Sequence, residues 1–165
     1  MVNLRCTKKL LTKLRVSELE DENVSTNILG TWYANYFNIS RVQYVIFMNE
    51  QTALSVVIPT KEISTLISRF LLELHRLLEV LGINEQFINY ELEQMKIVKF
   101  GRTNNRSLLG NMNDLTNGVF GWFCSPHETD LLKLNIFLSD YIVGPNPYKF
   151  PKEEAIKIFN NFSIK

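Results

Sequence analysis

The fold is decided by the stretch over residues 31–58, TWYANYFNISRVQYVIFMNEQTALSVVI. Its beginning is rich in aromatic residues, its middle alternates between apolar and polar side chains, and its end is β-branched, a pattern typical of strands. The polar connections at 40–41 and 49–52 have the lengths of hairpin loops. We therefore predict a three-stranded antiparallel meander, which Pro59 closes.

Segments on both sides of the meander extend it into an α+β fold. Short strands are predicted near 2–6 and 96–100. Apolar residues at helical spacing predict a long helix over 62–81, with Gly82 as its left-handed cap. With the shorter periodic segments, this makes a small, mostly antiparallel sheet packed against about five or six helices. The further helices are predicted to begin at Thr7, at Asn84, at Asn104 or Asn105, at Pro126 and at Pro151.

The helix predicted over 126–142 has a competing interpretation. Ser125, Pro126 and Glu128 form an N-cap, a first-turn proline and a capping box, which together favour a helix start. The apolar residues that follow also alternate as they would in a strand. These alternating residues are Leu132, Leu134, Ile136 and Leu138.

Length and composition indicate one globular domain over residues 1–165. The chain has 45% hydrophobic and 21% charged residues, well away from disordered compositions. No apolar run reaches the roughly 18 residues that span a bilayer, and the first residues lack the layout of a signal peptide. Cys6 and Cys124 are too few for a disulfide framework. We expect a cytoplasmic protein that has no contact with the membrane, with a flexible acidic loop at 17–27.

Positive charge is concentrated in two segments, although the net charge is only +1. Residues 1–16 and 96–106 together hold 9 of the 18 basic residues and none of the 17 acidic ones. If the segments meet in the fold, they create a local positive field on an otherwise acidic body. If they lie on opposite faces, they only keep the protein soluble.

The second basic segment runs into residues 101–114, GRTNNRSLLGNMND, which carry more hydrogen-bonding groups than a turn needs. Free N–H groups at a helix start, flanked by Arg102 and Arg106, would form a site for a phosphate or carboxylate. Asp114 would orient an arginine or act as a base. The alternative is that the asparagines are caps and the arginines pair with surface acids. The candidate anion-binding residues are Arg5, Lys8, Lys9, Arg102, Asn104, Asn105, Arg106, Asn113 and Asp114.

Two further features have alternative explanations. Glycines at 110, 118 and 121 would each cost a helix interior roughly 1 kcal/mol, so either something approaches that face closely or the helix breaks near 117–118. On the aromatic strand 32–37, one face belongs to the core. The other face is either a stacking platform for bases or is covered by the carboxy-terminal helices.

Other chemistry has little support in the sequence. Cys6 precedes a helix start and three cations, which would lower a thiol pKa, but a cysteine on an apolar strand is usually buried. His75 and His127 are expected on the surface, and no ligand spacing predicts a metal site. The chain lacks the glycine-rich nucleotide fingerprints. We expect neither a metal nor a cofactor.

Several strings resemble a bacterial family known as a domain of unknown function, and the resemblance covers nearly the whole chain. They include LRCTKKLL from Leu4, WYAN from Trp32, FMNE from Phe47, FGRTNNRS from Phe100 and LGNMND from Leu109. The resemblance implies a bacterial domain, and it implies no activity or catalytic residue.

The residues support three functions. The first is a non-enzymatic binding domain for a phosphate-bearing ligand, either a nucleic acid or a nucleotide. The second is a protein-interaction module of a toxin–antitoxin or anti-defence system. The third is a small enzyme that acts on a phosphodiester or nucleotide, with Asp114 or a histidine as base.

Overall fold

A computed structural model of the chain describes residues 1–16, 24–124, 129–143 and 149–163. Within these residues the chain forms five strands and six α-helices, which confirms the α+β class. The strands are β1 (Val2–Cys6), β2 (Trp32–Ile39), β3 (Val42–Asn49), β4 (Ser55–Pro59) and β5 (Val98–Arg102). The helices are α1 (Lys8–Leu14), α2 (Leu66–Val80), α3 (Glu85–Met95), α4 (Arg106–Phe123), α5 (Leu131–Ser139) and α6 (Pro151–Asn161).

The five strands form one sheet in the order β4-β3-β2-β1-β5. The predicted meander is confirmed, because β2, β3 and β4 pair antiparallel through the two predicted turns. The sheet as a whole is mixed, since β1 lies between β2 and β5 and is parallel to both. Parallel neighbours need a crossover connection, and α1 lies in the connection from β1 to β2.

Pleating divides the strand residues between two apolar layers. One face of the sheet, which we call the first face, carries Leu4, Trp32 and Phe47. The apolar layer on this face includes residues of α1, α2, α3 and α6. The second face carries Tyr33 and Ile46, whose layer includes α4 and α5. The aromatic strand is therefore covered on both faces. The interpretation of its second face as a base-stacking platform is wrong.

Local capping signals place several helices as the sequence predicts. Gly82 has a φ of 76° after α2, and Asn84 accepts a hydrogen bond from the Gln86 backbone N–H at the start of α3. Helix α2 is preceded by a short 3₁₀ helix, Ile63–Thr65, so the regular α-helix begins four residues later than predicted. Thr7 occupies the cap position of α1, but its hydroxyl bonds to Asn35 Oδ1 instead.

Helix α5 resolves the ambiguity over 126–142 in favour of a helix. Asp130 caps it by accepting from the Leu132 and Lys133 backbone N–H groups, and the helix ends at Ser139 rather than 142. The predicted start at Ser125–Glu128 lies outside the described residues. Asn135 of α5 is buried, and its Oδ1 accepts from Val57 N at 2.8 Å. The side-chain amide of Asn135 thus hydrogen-bonds to the backbone of β4, which is an edge strand of the sheet. Proteins commonly cover such edges.

One predicted boundary is wrong and one alternative is excluded, and both outcomes bear on the candidate site. The strand predicted at 96–100 is displaced to Val98–Arg102, because the Lys96 N–H still bonds to the Glu93 carbonyl at the end of α3. Gly101 and Arg102 therefore belong to a strand and not to a loop. Helix α4 is continuous, so of the two explanations for its glycines the break near 117–118 is excluded.

The segment before β2 is bonded to the rest of the fold. Residues 17–23 of the predicted acidic loop lie outside the described residues. From there on, Ser25 Oγ accepts from Asn3 N at 3.0 Å, and Asn27 is buried. None of the described helices has the length and apolar character needed to span a membrane.

Candidate functional site

The pairing of β1 with β5 brings the two basic segments together. Arg5 lies opposite both Gly101 of β5 and Tyr33 of β2 in the sheet register. The Arg5 guanidinium donates from Nη1 to the Arg102 carbonyl at 3.3 Å. The two segments therefore meet through their backbones. Because Arg102 lies opposite Cys6 of the first face in the sheet register, the side chains of Arg5 and Arg102 are on opposite faces of the sheet.

The second face of the sheet is covered unevenly. Helix α4 contacts β2 and β3, and α5 contacts β4. On the same face, Asn3 and Arg5 of β1 and Lys99 and Gly101 of β5 are only half-buried. This exposed part of the sheet is the region in which a ligand could contact side chains that β1 and β5 hold in fixed positions.

A cavity of about 400 Å³ opens beside this part of the sheet, and we call it the Arg5 cleft. Its volume lies within the range of small-molecule sites. Within the described residues, neither Arg5 nor Glu50 forms an ion pair, so both charges are available to a ligand. The polar residues that line the cleft are Asn3, Arg5, Ser25, Thr31, Glu50 and Gln51.

Glu50 reaches the cleft because the β3–β4 turn is held by a buried asparagine. Asn49 Oδ1 accepts from the backbone N–H groups of Gln51 and Thr52, and its Nδ2 donates to the Leu29 carbonyl at 2.8 Å. The Glu50 N–H then donates to the Thr31 carbonyl at 3.0 Å. The turn and the segment before β2 therefore form one wall of the cleft.

Tyr33 connects this wall to the start of α4. Its ring is fully buried, and its hydroxyl donates to Asn104 Oδ1 at 2.6 Å, with Glu50 Oε1 at 3.4 Å. Burial raises the pKa of the Tyr33 hydroxyl to about 12, and the nearby Glu50 charge acts in the same direction while Arg5 opposes it. The hydroxyl therefore keeps its proton at neutral pH.

Helix α4 begins beside a second cavity of about 340 Å³. Asn105 caps the helix, since its Oδ1 accepts from the Ser107 and Leu108 backbone N–H groups. Asn105 lines this cavity together with Asn111, and Glu50 and Gln51 line it as well as the Arg5 cleft. The two cavities thus lie on either side of the Glu50–Gln51 turn.

The predicted anion-binding residues divide into three groups. Arg5, Arg102, Asn104 and Asn105 lie around the two cavities or at the β1–β5 junction. Lys8 and Lys9 lie instead on α1, which packs on the first face of the sheet, and line an open surface depression beside Tyr36. These two lysines are therefore separated from the Arg5 cleft by the sheet.

The remaining predicted residues lie on the exposed side of α4. Arg106 is exposed at the first position of the helix, and Asn113 and Asp114 are exposed further along it. Asp114 is eight residues from Arg106, about 12 Å along the helix axis. Within the described residues, no ion pair joins Asp114 to Arg106.

The glycine face of α4 has one close contact. A Cβ at Gly118 would lie 3.3 Å from the Tyr141 ring, so an aromatic side chain occupies that position. At Gly110 and Gly121 a Cβ would meet nothing within 4 Å. A close approach therefore accounts for one of the three glycines.

The other residues considered for catalysis or metal binding are Cys6, His75 and His127. Cys6 is fully buried, and burial raises the pKa of its thiol to about 12, which is unsuited to a nucleophile. His75 lies 3.4 Å from Glu79 and 3.5 Å from Glu85, but each imidazole nitrogen faces a different carboxylate. Atoms of His75, Glu79 and Glu85 that could bind a metal lie within 4.8 Å of one another. The arrangement is nevertheless that of two separate surface contacts. His127 lies outside the described residues.

The sequence does not single out five of the residues that line the Arg5 cleft, which are Asn3, Ser25, Thr31, Glu50 and Gln51. Glu50 was assigned to a hairpin connection, where a polar residue needs no further explanation. One signal was available, because Glu50 belongs to the string FMNE, on which the family resemblance partly depends.

No curated protein and no solved structure matches the chain. A family model does match it, over residues 3–154, which include the Arg5 cleft and all of α4. The description of that family is "Domain of unknown function (DUF6933)". The chain therefore belongs to the DUF6933 family.

Proposed function

We propose that this chain is a non-enzymatic binding domain whose Arg5 cleft holds a phosphate-bearing ligand, either a nucleotide or a nucleic acid. The observation that carries the proposal is the parallel pairing of β1 with β5, which places the Arg5 guanidinium at a polar cavity. Five N–H groups on a planar guanidinium match the geometry of a phosphate. Among residues 1–16, 24–124, 129–143 and 149–163, one hydrogen bond from this guanidinium is formed, to the Arg102 carbonyl.

Uncharged groups around Arg5 support the same assignment. Asn3, Ser25 and Thr31 line the cleft with an amide and two hydroxyls that can donate to phosphate oxygens. Lys99 lies opposite Asn3 on β5 and adds positive charge to this part of the sheet. Because β1 and β5 are paired strands, Asn3, Arg5 and Lys99 are held in position before the ligand arrives, which reduces the entropic cost of binding.

Binding measurements test the proposal directly. We would titrate the protein with ATP, AMP and short single- and double-stranded DNA and RNA at about 50 mM and about 200 mM salt. We expect at least one of these to bind, more weakly at the higher salt, because phosphate contacts release counterions. No binding of any of them at the lower salt would contradict the proposal.

A matched pair of variants locates the site. Arg5→Gln removes the charge and should weaken binding by about tenfold or more, as expected for loss of hydrogen bonds to a charged group. Arg41→Gln is the control, since Arg41 is exposed in the β2–β3 turn. That turn lies about 20 Å along β2 from Tyr33. Equal effects of the two substitutions would place the ligand outside the cleft.

A second candidate is the protein-interaction module, which the open side of α4 favours. Gly110 and Gly121 leave room for another backbone, and Phe120 beside them is 57% exposed. The test is to co-express the chain with the products of its neighbouring genes and to measure the mass of the purified complex. Gly121→Gln should abolish such a complex while leaving the melting temperature of the chain alone nearly unchanged.

A further inference from the structure

Glu50 has a carboxylate that is short of hydrogen-bond donors. The Tyr33 hydroxyl carries one proton, and two acceptors compete for it: Asn104 Oδ1 at 2.6 Å and Glu50 Oε1 at 3.4 Å. The shorter contact receives the proton, since O–H···O hydrogen bonds have a typical length of about 2.7–2.8 Å. Within the described residues, no other hydrogen bond to the Glu50 carboxylate is formed. Its remaining acceptor sites are open to solvent and to the two cavities that Glu50 lines, one of which is the Arg5 cleft.

The same cavity presents Arg5, which is a donor only. A ligand that fills it meets a positive group that suits a phosphate and a negative group that suits hydroxyl or amino donors. The two are on different walls, because Arg5 belongs to β1 and Glu50 to the β3–β4 turn. A small molecule that fills the cleft therefore needs two different chemical groups, one at each of these places.

We propose, on the basis of the function proposed above, that Glu50 makes the Arg5 cleft selective for a small phosphate ester that carries hydroxyl groups. A sugar phosphate and a nucleoside monophosphate both have this chemistry. Arg5 binds the phosphate, and Glu50 accepts a hydrogen bond from a sugar hydroxyl. Glu50 is exposed, so this hydrogen bond to a charged group favours the ligand over analogues that lack the donor by about tenfold.

The same carboxylate acts against longer nucleic acids. A strand carries a phosphate at every nucleotide, so a second phosphate would approach Glu50 when the first lies at Arg5. Like charges placed together are a common means of excluding wrong ligands. Glu50 therefore makes the cleft favour a single phosphate ester over a polyanion. Arg5 alone would not make this distinction.

The test uses four probes: ribose 5-phosphate, ribose, inorganic phosphate and a short single-stranded oligodeoxynucleotide. The wild-type protein should bind ribose 5-phosphate about tenfold or more tightly than inorganic phosphate, and should bind ribose and the oligonucleotide more weakly still. Addition of AMP as a fifth probe distinguishes a nucleotide from a sugar phosphate as the better ligand. Equal affinities for ribose 5-phosphate and inorganic phosphate would overturn the inference without any variant.

Glu50→Gln tests the role of the carboxylate. It should reduce the preference for ribose 5-phosphate over inorganic phosphate by about tenfold and strengthen binding of the oligonucleotide. Glu62→Gln, at an exposed position before the 3₁₀ helix, is the matched control and should leave the preference unchanged. An unchanged preference in Glu50→Gln would overturn the inference.

The outcomes also separate this inference from the function on which it rests. If only oligonucleotides bind, and Arg5→Gln weakens them, the binding function stands and the selectivity is wrong. If no phosphate compound binds at low salt, both are wrong.

Discussion

Glu91 and Glu50 lie on opposite sides of the segment that precedes β2, and the fold treats them differently. Glu91 of α3 is fully buried and accepts hydrogen bonds from Asn27 Nδ2 and from the Ile28 and Leu29 backbone N–H groups. Glu50 is exposed at the cleft and has one long contact with Tyr33. The Glu91 carboxylate thus accepts hydrogen bonds from several donors of the chain, whereas the Glu50 carboxylate is open to the donors of a ligand.

This difference separates a structural acid from a candidate binding acid. Burial of a charged group is costly unless the fold supplies partners, and three N–H groups aimed at Glu91 are such partners. Glu91 therefore holds the wall of the cleft in place from behind, since Ser25 and Thr31 on the same segment line the cavity. The Glu50 side chain contributes little to that wall, and in the described part of the chain its carboxylate has only the long contact with the Tyr33 hydroxyl.

The largest expected effect comes from Glu91→Ala. Removal of the carboxylate leaves buried N–H groups without acceptors, at about 1–3 kcal/mol each. We expect the free energy of unfolding to fall by about 3 kcal/mol, measured by urea denaturation. Glu93→Ala is the control on the same helix. Glu93 is exposed and paired with Lys96, so its loss should cost less than about 1 kcal/mol. Similar losses in the two variants would remove the distinction.

The pH dependence of stability probes Glu91 further. Burial raises the pKa of Glu91 above its ordinary value of 4.5, although its N–H donors pull it in the other direction. Above pH 4.5 the unfolded chain releases this proton before the native state does, so stability falls as the pH rises through that window. We expect the wild-type protein to lose stability relative to Glu91→Gln over this range. Parallel curves, or a relative gain by the wild type, would contradict the raised pKa.

The same contrast between packed and open positions can be measured on α4. Gly110→Ala places a Cβ in open space and should raise the free energy of unfolding by about 0.5–1 kcal/mol, the cost of glycine in a helix. Gly118→Ala places a Cβ 3.3 Å from the Tyr141 ring, which must then shift, so its gain should be smaller. A larger gain at Gly118 would show that Tyr141 does not pack there in solution.

The smallest effect is expected at Glu50 itself. Glu50→Gln removes a charge that the chain does not satisfy, so the free energy of unfolding should change by less than about 0.5 kcal/mol. Urea denaturation of this variant beside Glu91→Gln makes the comparison direct. A loss above about 2 kcal/mol at Glu50 would assign it to the structure and not to a ligand.

Local signals in the sequence were sufficient for the meander and for most helices. Gly82, Asn84 and Asn105 act at the helix ends where their residue types predict, because capping depends on a few neighbouring residues. The buried side of α4 follows from the spacing of its apolar residues. Asp130 caps α5, although the capping box at Ser125–Glu128 predicts an earlier start of the helix.

The candidate site depended on long-range pairing that the sequence does not encode locally. Nothing near Arg5 indicates that β1 lies between β2 and β5. Nor does it indicate that α1, with Lys8 and Lys9, packs on the first face while Arg5 lies on the second. The sequence does contain a signal for the burial of Glu91. It lies between Ile88 and Met95 on the buried side of α3, where a charged residue requires a partner.

An NMR titration of the isotope-labelled protein with ribose 5-phosphate, followed through the backbone amide signals, tests whether the ligand lies in the Arg5 cleft. We expect shifts concentrated at Asn3, Arg5, Thr31, Glu50 and Gln51, which disappear in Arg5→Gln. Shifts confined to Lys8, Lys9 and Lys13 on α1, or none at saturating ligand, would contradict this placement of the ligand.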